Sequence, residues 1–174
     1  FYATTQGETE YTDKVGDGAG VFKSTDRGNN WSQINNGLNS LETNVLVVDP
    51  NDSEILYLGT DDDGVYKSTD GGETWKKLNV SSVPKSFGVG DIIVDPQNSN
   101  NIYIGTVDYF RLSESRGVLG DFGVYKSTDG GATWEEFNVG LNHLGVFSLE
   151  LSEENRILYA GTRAGGVYWI SLDN

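Results

Sequence analysis

The sequence contains no cysteine and a single histidine, His143. Without cysteine, the fold owes nothing to disulfide bonds. One histidine and no thiolate supply too few of the usual ligands for a zinc site, so we expect no metal centre of that kind. A catalytic triad of the serine or cysteine type has no support for the same reason.

Positive charge is also scarce, with 12 Lys and Arg against 26 Asp and Glu and a net charge of −14. Nucleic-acid binding requires clustered basic side chains that displace counterions from phosphates, so we expect no nucleic-acid partner. The acidic balance disfavours anionic membrane surfaces. No run approaches the roughly 18 apolar residues of a membrane span, so we expect no membrane insertion. We attribute the surplus of acidic residues to solubility.

What the sequence does contain is glycine, 23 residues in all, and an internal repeat. One eight-residue phrase, called the box below, occurs three times: STDRGNNW over Ser24–Trp31, STDGGETW over Ser68–Trp75 and STDGGATW over Ser127–Trp134. Each copy follows Gly-Val-aromatic-Lys. A repeat at this spacing, roughly 45–60 residues, is typical of propellers and solenoids.

The clearest unit predicts four short strands, A to D. Strand A is Val45–Val48, a continuous apolar run that suits a strand buried on both faces. Strand B is Ile55–Thr60, strand C is Val65–Ser68, and strand D is Trp75–Leu78. Four antiparallel strands at this period describe a propeller blade. A β-helix is the alternative, although its repeats are usually shorter.

The whole chain divides into four such units, with approximate limits 1–38, 39–80, 81–140 and 141–174. The first unit lacks strand A and the last lacks strand D, which gives strand counts of three, four, four and three. We therefore predict an all-β fold of three to four propeller blades, part of a larger ring. We expect the remaining blades upstream of Phe1 in the same chain, or in another subunit that would also cover the exposed strand edges.

The units differ mainly in the loop between strands B and C. From the Thr that ends strand B to the Gly that precedes strand C is 4 positions in the second and fourth units, 15 in the first and 17 in the third. In an up-and-down blade, the B–C loops and the D–A connections share one end and the boxes decorate the other. Because insertions in repeats usually map to the binding face, we expect recognition at the B–C end.

The box itself suits a structural role. Its Asp carboxylate can accept backbone N–H bonds within the turn, its second Gly can take positive φ, and its Trp ring can pack between blades. The residues assigned to this role are Ser24, Asp26, Gly28 and Trp31; Ser68, Asp70, Gly72 and Trp75; and Ser127, Asp129, Gly131 and Trp134.

These motifs resemble the Asp-box family of β-propellers, also called bacterial neuraminidase repeats, over nearly the whole chain. The first copy departs by Asn30, where Thr is usual, and the fourth unit has lost the box at Trp169–Asp173. The family includes sialidases, xyloglucan-degrading hydrolases, sortilin-type receptors and photosystem II assembly factors. Sialidase chemistry is not expected, since the chain has five arginines and no F/Y-R-I-P motif.

One segment carries a catalytic hypothesis. Tyr57–Lys67 resembles a xyloglucanase segment whose catalytic Asp falls at Asp61, although Gly59 replaces the family Arg and Asp63 replaces a Gly. Glycosidases generally need two carboxylates, and no second one is assigned; Asp91 and Asp121 merely lie near the same face. The alternative interpretation of Asp61 is a solvated turn residue. The same acidic triplet, Asp61, Asp62 and Asp63, offers oxygen ligands for Ca²⁺, although an exposed acidic turn is expected and no cofactor is assigned.

The insertion of the third unit, 107–122, combines aromatic and basic side chains that are typical of interface anchors. We assign binding to Tyr109, Phe110, Arg111 and Arg116, with a loop folded over its own blade as the alternative. The function predicted is a non-catalytic binding or assembly module that recognises a protein partner or a glycan. The alternative is a glycoside hydrolase. The family resemblance and the absence of cysteine favour an extracellular or cell-envelope location.

Overall fold

The computed structural model describes residues 1–5, 18–80, 87–108 and 121–173. Within these ranges the chain forms 14 β-strands and no helix, and so it contains no helix that is long and apolar enough to cross a membrane. The strands are β1 (Tyr2–Thr5), β2 (Gly20–Lys23), β3 (Ser32–Gln33), β4 (Thr43–Val48), β5 (Leu56–Thr60), β6 (Val65–Ser68), β7 (Lys76–Lys77), β8 (Gly88–Val94), β9 (Ile102–Val107), β10 (Val124–Ser127), β11 (Glu135–Glu136), β12 (Val146–Ser152), β13 (Ile157–Thr162) and β14 (Gly166–Ser171).

The strands form four antiparallel sheets, and each strand pairs with its neighbours in sequence. The sheets are β1–β2–β3, β4–β5–β6–β7, β8–β9–β10–β11 and β12–β13–β14, called the first to fourth sheets below. The strand counts of three, four, four and three agree with the prediction, and the all-β, propeller-type fold is confirmed. Because every sheet is a simple meander, its B–C loop and the D–A connection lie at one end, called the loop face, and the box turns lie at the other.

The prediction that strand A is buried on both faces is wrong for the second unit. Only Thr43 of β4 is buried, the next four residues are half-buried, and Val48 is exposed. The reason lies in its neighbours, since on the side of the first sheet β4 packs against the four-residue β1, whereas β8, the equivalent strand of the third sheet, packs between β4 and β12 and is mostly buried. A bulge between Thr43 and Val45 further displaces its first half from a regular ladder.

The apolar core lies between successive sheets. The cluster between the first and second sheets contains Val21, Leu56, Leu58, Tyr66 and Trp75. A second cluster joins the second and third sheets and includes Trp134, and a third cluster joins the third and fourth sheets. Burial between sheets rather than within them makes each sheet dependent on its neighbours.

The polar groups of each box form hydrogen bonds with one another within the turn. In the second unit, Ser68 Oγ donates to Asp70 Oδ1 at 2.7 Å and accepts from the Gly72 backbone N–H at 2.9 Å. The Thr74 backbone N–H and hydroxyl donate to the Asp70 carboxylate at 2.9 and 2.5 Å. Gly72 has φ 92°, a conformation that favours glycine. The same Ser, Asp and Gly bonds recur in the first and third copies.

These hydrogen bonds make the box sensitive to acid. The pKa of each box carboxyl group, at Asp26, Asp70 and Asp129, is lowered from 3.8 to about 2. The main cause is the pair of hydrogen bonds from the side chain and backbone of the residue four positions later, and the box serine donates a further bond. A carboxyl group with a lowered folded-state pKa stabilises the fold above its unfolded pKa and loses this effect as pH falls through its folded pKa. We therefore expect the free energy of unfolding to fall between about pH 4 and about pH 2, measured by urea titration. The double variant Asp70→Asn, Asp129→Asn should show a shallower fall, and an unchanged slope would contradict the assignment.

The box turns of the second and third units also attach to the preceding sheet. The Gly71 carbonyl accepts a bond from Lys23 Nζ of the first sheet at 2.8 Å, whereas the Gly71 N–H donates to the Glu54 carbonyl of its own unit at 2.9 Å. The third unit repeats the first of these contacts, since Gly130 accepts from Lys67 Nζ at 2.9 Å. The lysine before the first and second boxes, Lys23 and Lys67, thus reaches the box of the next unit and links the first three sheets in order.

The third and fourth sheets are joined differently, because the fourth unit has no box. The Arg156 guanidinium meets the Asp95 carboxylate in a two-pronged contact, Nη1 to Oδ1 at 3.0 Å and Nη2 to Oδ2 at 2.6 Å. Asp95 is fully buried. Burial opposes its ionisation, but the bonds from Arg156, Gln97 and Asn101 outweigh it, and the pKa of Asp95 lies below its usual value.

Candidate functional site

At the base of the loop face, one hydrogen bond is repeated in all four units. The hydroxyl of the Thr that ends strand B donates to the carbonyl of the Gly that precedes or begins strand C. Each of these glycines has φ between 75° and 84°, which only glycine adopts without strain. The four pairs are Thr5–Gly20 at 3.2 Å, Thr60–Gly64 at 3.0 Å, Thr106–Gly123 at 2.9 Å and Thr162–Gly166 at 3.0 Å.

The same glycines connect each loop base to the next unit. In the first three units the glycine N–H donates to a carbonyl of the following D–A connection, at 2.9–3.1 Å. The acceptors are Leu41, Phe87 and Leu144. The base of every B–C loop is therefore held at the same place in its unit, whether the loop takes 4 or 17 positions.

The two units with long loops carry an additional contact. In the first unit, the Asn35 side chain accepts from the Val21 N–H at 2.8 Å and donates to the Ala19 carbonyl at 2.9 Å. In the third unit, Asn138 makes the equivalent bonds to Val124 at 2.7 Å and Phe122 at 3.0 Å. Each Asn side chain thus bridges the last residue of the loop and the start of strand C.

Sequence reasoning missed these asparagines, although a signal was present. An Asn follows the apolar residue after strand D in three units, at Asn35, Asn79 and Asn138. In the second unit, whose loop is short, Asp63 precedes Gly64 instead, and its carboxylate accepts hydrogen bonds from Tyr66 and Lys77. In the two units that carry an insertion, the Asn at this position supports the base of the long loop.

Asp61 lies at the loop face, directly after β5, and its interpretation as a solvated turn residue is wrong. Its exposed fraction is 2%, and its backbone N–H donates to the Glu42 carbonyl at 2.9 Å. The bond continues the sheet into the D–A connection. The equivalent position in the fourth unit is Arg163, whose N–H donates to the Gly145 carbonyl at 2.8 Å.

The acidic triplet does not converge on one point. Asp62 accepts a bond from Ser40 Oγ at 2.8 Å, whereas Asp63 contacts Tyr66 and Lys77. Asp61 is buried beside the D–A connection. Across the part of the chain that the structure describes, no three Asp, Glu, His or Cys side chains are grouped so that they could hold a metal ion.

The other two carboxylates near this face each serve a contact within the chain. Asp91 on β8 accepts bonds from the Ile92 and Leu149 backbone N–H groups, both at 2.8 Å, and so joins the third sheet to the fourth. Burial raises the pKa of Asp91, because the loss of hydration outweighs the two bonds that favour its charged form. Asp121 accepts from the Asp108 N–H at 2.9 Å.

The four residues assigned to binding, Tyr109, Phe110, Arg111 and Arg116, lie outside the described residues. The described residues on either side of them, Asp108 and Asp121, are joined by the bond given above. Beside this pair the guanidinium of Arg163 donates to the Asp108 carbonyl and lies 5.2 Å from the centre of the Phe147 ring. Sequence reasoning assigned no role to Arg163 or Phe147, although both occupy positions that face the loop end in their unit.

Comparison with known proteins adds to this description. The Sortilin-Vps10 family, described as sortilin, neurotensin receptor 3, matches residues 19–168. Among solved structures, an ancestral GH74 enzyme is 26% identical with a TM-score of 0.69, over 88% of this chain and 20% of its own. No curated protein sequence matches the chain.

Two further structures are similar in fold. The extracellular domain of a hybrid two-component system from B. thetaiotaomicron is 16% identical, with a TM-score of 0.58, over 79% of this chain and 18% of its own. PorZ, a surface component of the type-IX secretion system of Porphyromonas gingivalis, is 19% identical, with a TM-score of 0.57, over 84% and 21%. The chain therefore spans about a fifth of the length of each of these three structures.

Proposed function

This chain belongs to the Sortilin-Vps10 family of Asp-box β-propellers, and we propose that it is a non-catalytic binding module. It recognises a protein partner or a glycan through the loop face. The anchors are the aromatic and basic side chains of the third unit's insertion, Tyr109, Phe110, Arg111 and Arg116. Aromatic rings and arginine supply much of the binding energy at protein interfaces, and aromatic rings also stack on sugars.

The observation that carries this proposal is the repeated Thr–Gly bond at the base of every B–C loop. It holds loops of 4 to 17 positions on the same support, so that loop length varies from unit to unit while the base of each loop keeps its place. Variable loops on a rigid scaffold are the usual arrangement of a recognition surface. The Asn35 and Asn138 contacts strengthen the support in the two units where the loops are long.

We place the module outside the cytoplasm, in the extracellular space or the cell envelope. Two proteins of similar fold are an extracellular domain and a bacterial surface component, which supports this location. The absence of cysteine is compatible with it, because the fold needs no particular redox environment.

The insertion can be tested directly. We expect the double variant Tyr109→Ala, Phe110→Ala to bind an immobilised ligand at least roughly tenfold more weakly while its thermal unfolding stays unchanged. Affinity electrophoresis through gels that contain xyloglucan or another soluble polysaccharide measures glycan binding. The matched control is Trp31→Ala, at the box end, which should bind like the unaltered chain. If xyloglucan or another polysaccharide retards all three chains equally, the insertion is not the binding site.

A glycoside hydrolase is the second candidate, and the likeness to a GH74 enzyme at 26% identity favours it. Asp61 would be one catalytic carboxylate. Its burial counts against this role, because a catalytic residue must touch the substrate. If the chain releases reducing ends from xyloglucan, the Asp61→Asn variant should lose that activity by roughly a thousandfold or more. An active Asp61→Asn variant would exclude the assignment, and polysaccharide binding without release of reducing ends would favour the first candidate.

A further inference from the structure

A carboxylate lies at the base of each long B–C loop, and the two carboxylates come from opposite sides. In the first unit it belongs to Glu42 of the D–A connection, whose Oε1 accepts from the Gly18 N–H at 3.1 Å. In the third unit it belongs to Asp121 of the loop itself, whose Oδ1 accepts from the Asp108 N–H at 2.9 Å. Glu42 is 7% exposed and Asp121 is half-buried, so both charges need the hydrogen bonds that they accept.

The two bases use equivalent positions, with the acidic residue and the glycine exchanged. Gly18 and Asp121 each stand two residues before the Gly of the Thr–Gly bond. Glu42 and Gly145 each stand directly before the strand A residue that pairs with the Thr at the end of strand B. The carbonyls of Glu42 and Gly145 also accept the same bond, from the N–H of the residue that follows strand B. The first base therefore combines Gly18 with Glu42, and the third combines Asp121 with Gly145.

In each pair, only one residue has room for a side chain. A Cβ atom at Gly18 would lie 2.3 Å from the Leu41 carbonyl oxygen, so the carboxylate of the first base must come from the D–A connection. A Cβ atom at Gly145 would lie 2.9 Å from the Asp121 carboxylate, which already fills that space. Each base thus accommodates one carboxylate, from one side or from the other.

The base of the third loop is held at Asp108, the residue from which the chain enters the insertion. Its N–H donates to Asp121, and its carbonyl accepts from the guanidinium of Arg163 in the fourth unit. Arg163 in turn lies 5.2 Å from the centre of the Phe147 ring. The N–H and the carbonyl of Asp108 are therefore bound from two units, which fixes the direction of the chain at the point where the insertion begins.

We propose that Asp121 is a positioning residue for recognition, because it holds Asp108 and so fixes the start of the insertion that carries Tyr109 and Phe110. This inference rests on the proposed function of the loop face. Asp121 acts through Asp108 and does not itself contact the ligand. A backbone that is already fixed beside a binding residue loses less conformational entropy when the ligand binds, which raises affinity. Glu42 fixes the first long loop in the same way from the opposite side.

The exchanged pair of the first unit supplies the decisive variant. We expect Asp121→Gly to speed hydrogen exchange of the Asp108 amide by roughly tenfold or more, while the amides of β9 and β10 keep their rates. In the double variant Asp121→Gly, Gly145→Glu, the new carboxylate enters the space that Asp121 leaves, as Glu42 does in the first unit. Slow exchange should then appear at the amide of residue 121, the counterpart of Gly18. Nuclear magnetic resonance of the isotope-labelled chain measures these rates residue by residue.

Affinity electrophoresis through gels that contain xyloglucan measures the consequence for binding. Asp121→Gly should weaken the affinity for xyloglucan by roughly tenfold, and the double variant should restore it. Such a rescue is not expected if Asp121 only stabilises the fold. The matched control is Glu42→Gly, which removes the carboxylate below the loop that carries no assigned anchor and should bind like the unaltered chain.

Two results would overturn the proposal. Unchanged exchange at Asp108 in Asp121→Gly would show that Asp121 does not hold the insertion. Faster exchange at Asp108 with unchanged affinity for xyloglucan would show that Asp121 is a structural residue only. If xyloglucan does not retard the unaltered chain, the glycan part of the proposed function is wrong, and the exchange rates of the Asp121 variants still decide whether Asp121 holds the insertion.

Discussion

Replacement of Trp75 by alanine is expected to lower the free energy of unfolding by about 3–5 kcal/mol. Trp75 is 4% exposed, and its ring fills the centre of the cluster between the first and second sheets. Its removal deletes a large buried side chain and leaves a cavity. The strands around the cavity close it only in part, because the hydrogen bonds of the first and second sheets hold them in place. The Ile34 carbonyl also loses the indole N–H that it accepts. Urea unfolding followed by circular dichroism measures the change.

The matched control for this variant lies in the same chain. Trp31 occupies the same position in its own box, but it is 43% exposed because no preceding sheet covers it among the described residues. Trp31→Ala should therefore cost about 1 kcal/mol or less. Similar losses for the two variants would show that the tryptophan stabilises the box turn itself, and the assignment of Trp75 to the contact between sheets would then be wrong.

The second large effect is expected at the joint between the third and fourth sheets. Replacement of Arg156 by methionine should cost about 3–5 kcal/mol, because it leaves the fully buried Asp95 carboxylate without its cation. The double variant Asp95→Asn, Arg156→Met should recover much of this loss, since the buried charge is then absent. Chemical unfolding of these two variants, of Asp95→Asn alone and of the unaltered chain completes the cycle.

The cost of Arg156→Met should also depend on pH. Once the guanidinium is absent, burial acts against ionisation of Asp95 with less opposition, and its folded-state pKa rises. For a carboxyl group whose folded pKa is raised, the ionised form is penalised in the folded state, so the loss grows as pH rises above the unfolded pKa. The difference between variant and unaltered chain should be larger at pH 7 than at pH 3. A difference that does not change with pH would show that Asp95 is not the group left uncompensated.

The architecture was predictable because its signals are local. The number of strands in each unit follows from turn residues and apolar runs, and the Ser, Asp and Gly of the box act within eight residues. Strand C, Val65–Ser68, was predicted with its observed limits, whereas strand D shrank from Trp75–Leu78 to Lys76–Lys77. The ends of strand D depend on how far β6 continues beside it, and a single strand's sequence does not contain that information.

Burial was harder to predict because it depends on neighbouring units. All three box tryptophans carry the same sequence signature, yet Trp75 and Trp134 are buried and Trp31 is 43% exposed. Asp61 has the appearance of a turn residue, yet it is buried, and its backbone N–H bonds to Glu42 in the D–A connection earlier in the chain. The supporting role of Asn138 was missed for a related reason, because its partners Phe122 and Val124 lie 16 and 14 positions earlier in the chain, at the start of strand C.

The Thr–Gly bond below each B–C loop allows loops of different length to occupy the same position in the fold. The bond joins the two ends of the loop within one unit, and the glycine N–H connects them to the next unit. The pairing of the strands therefore does not depend on the residues between these two ends. Segments of 4 to 17 positions already share this support within a single chain. A loop from the first unit transplanted between Thr106 and Gly123, above Asn138, would keep the same attachment. The framework of the fold can therefore stay the same while the loops that it carries change.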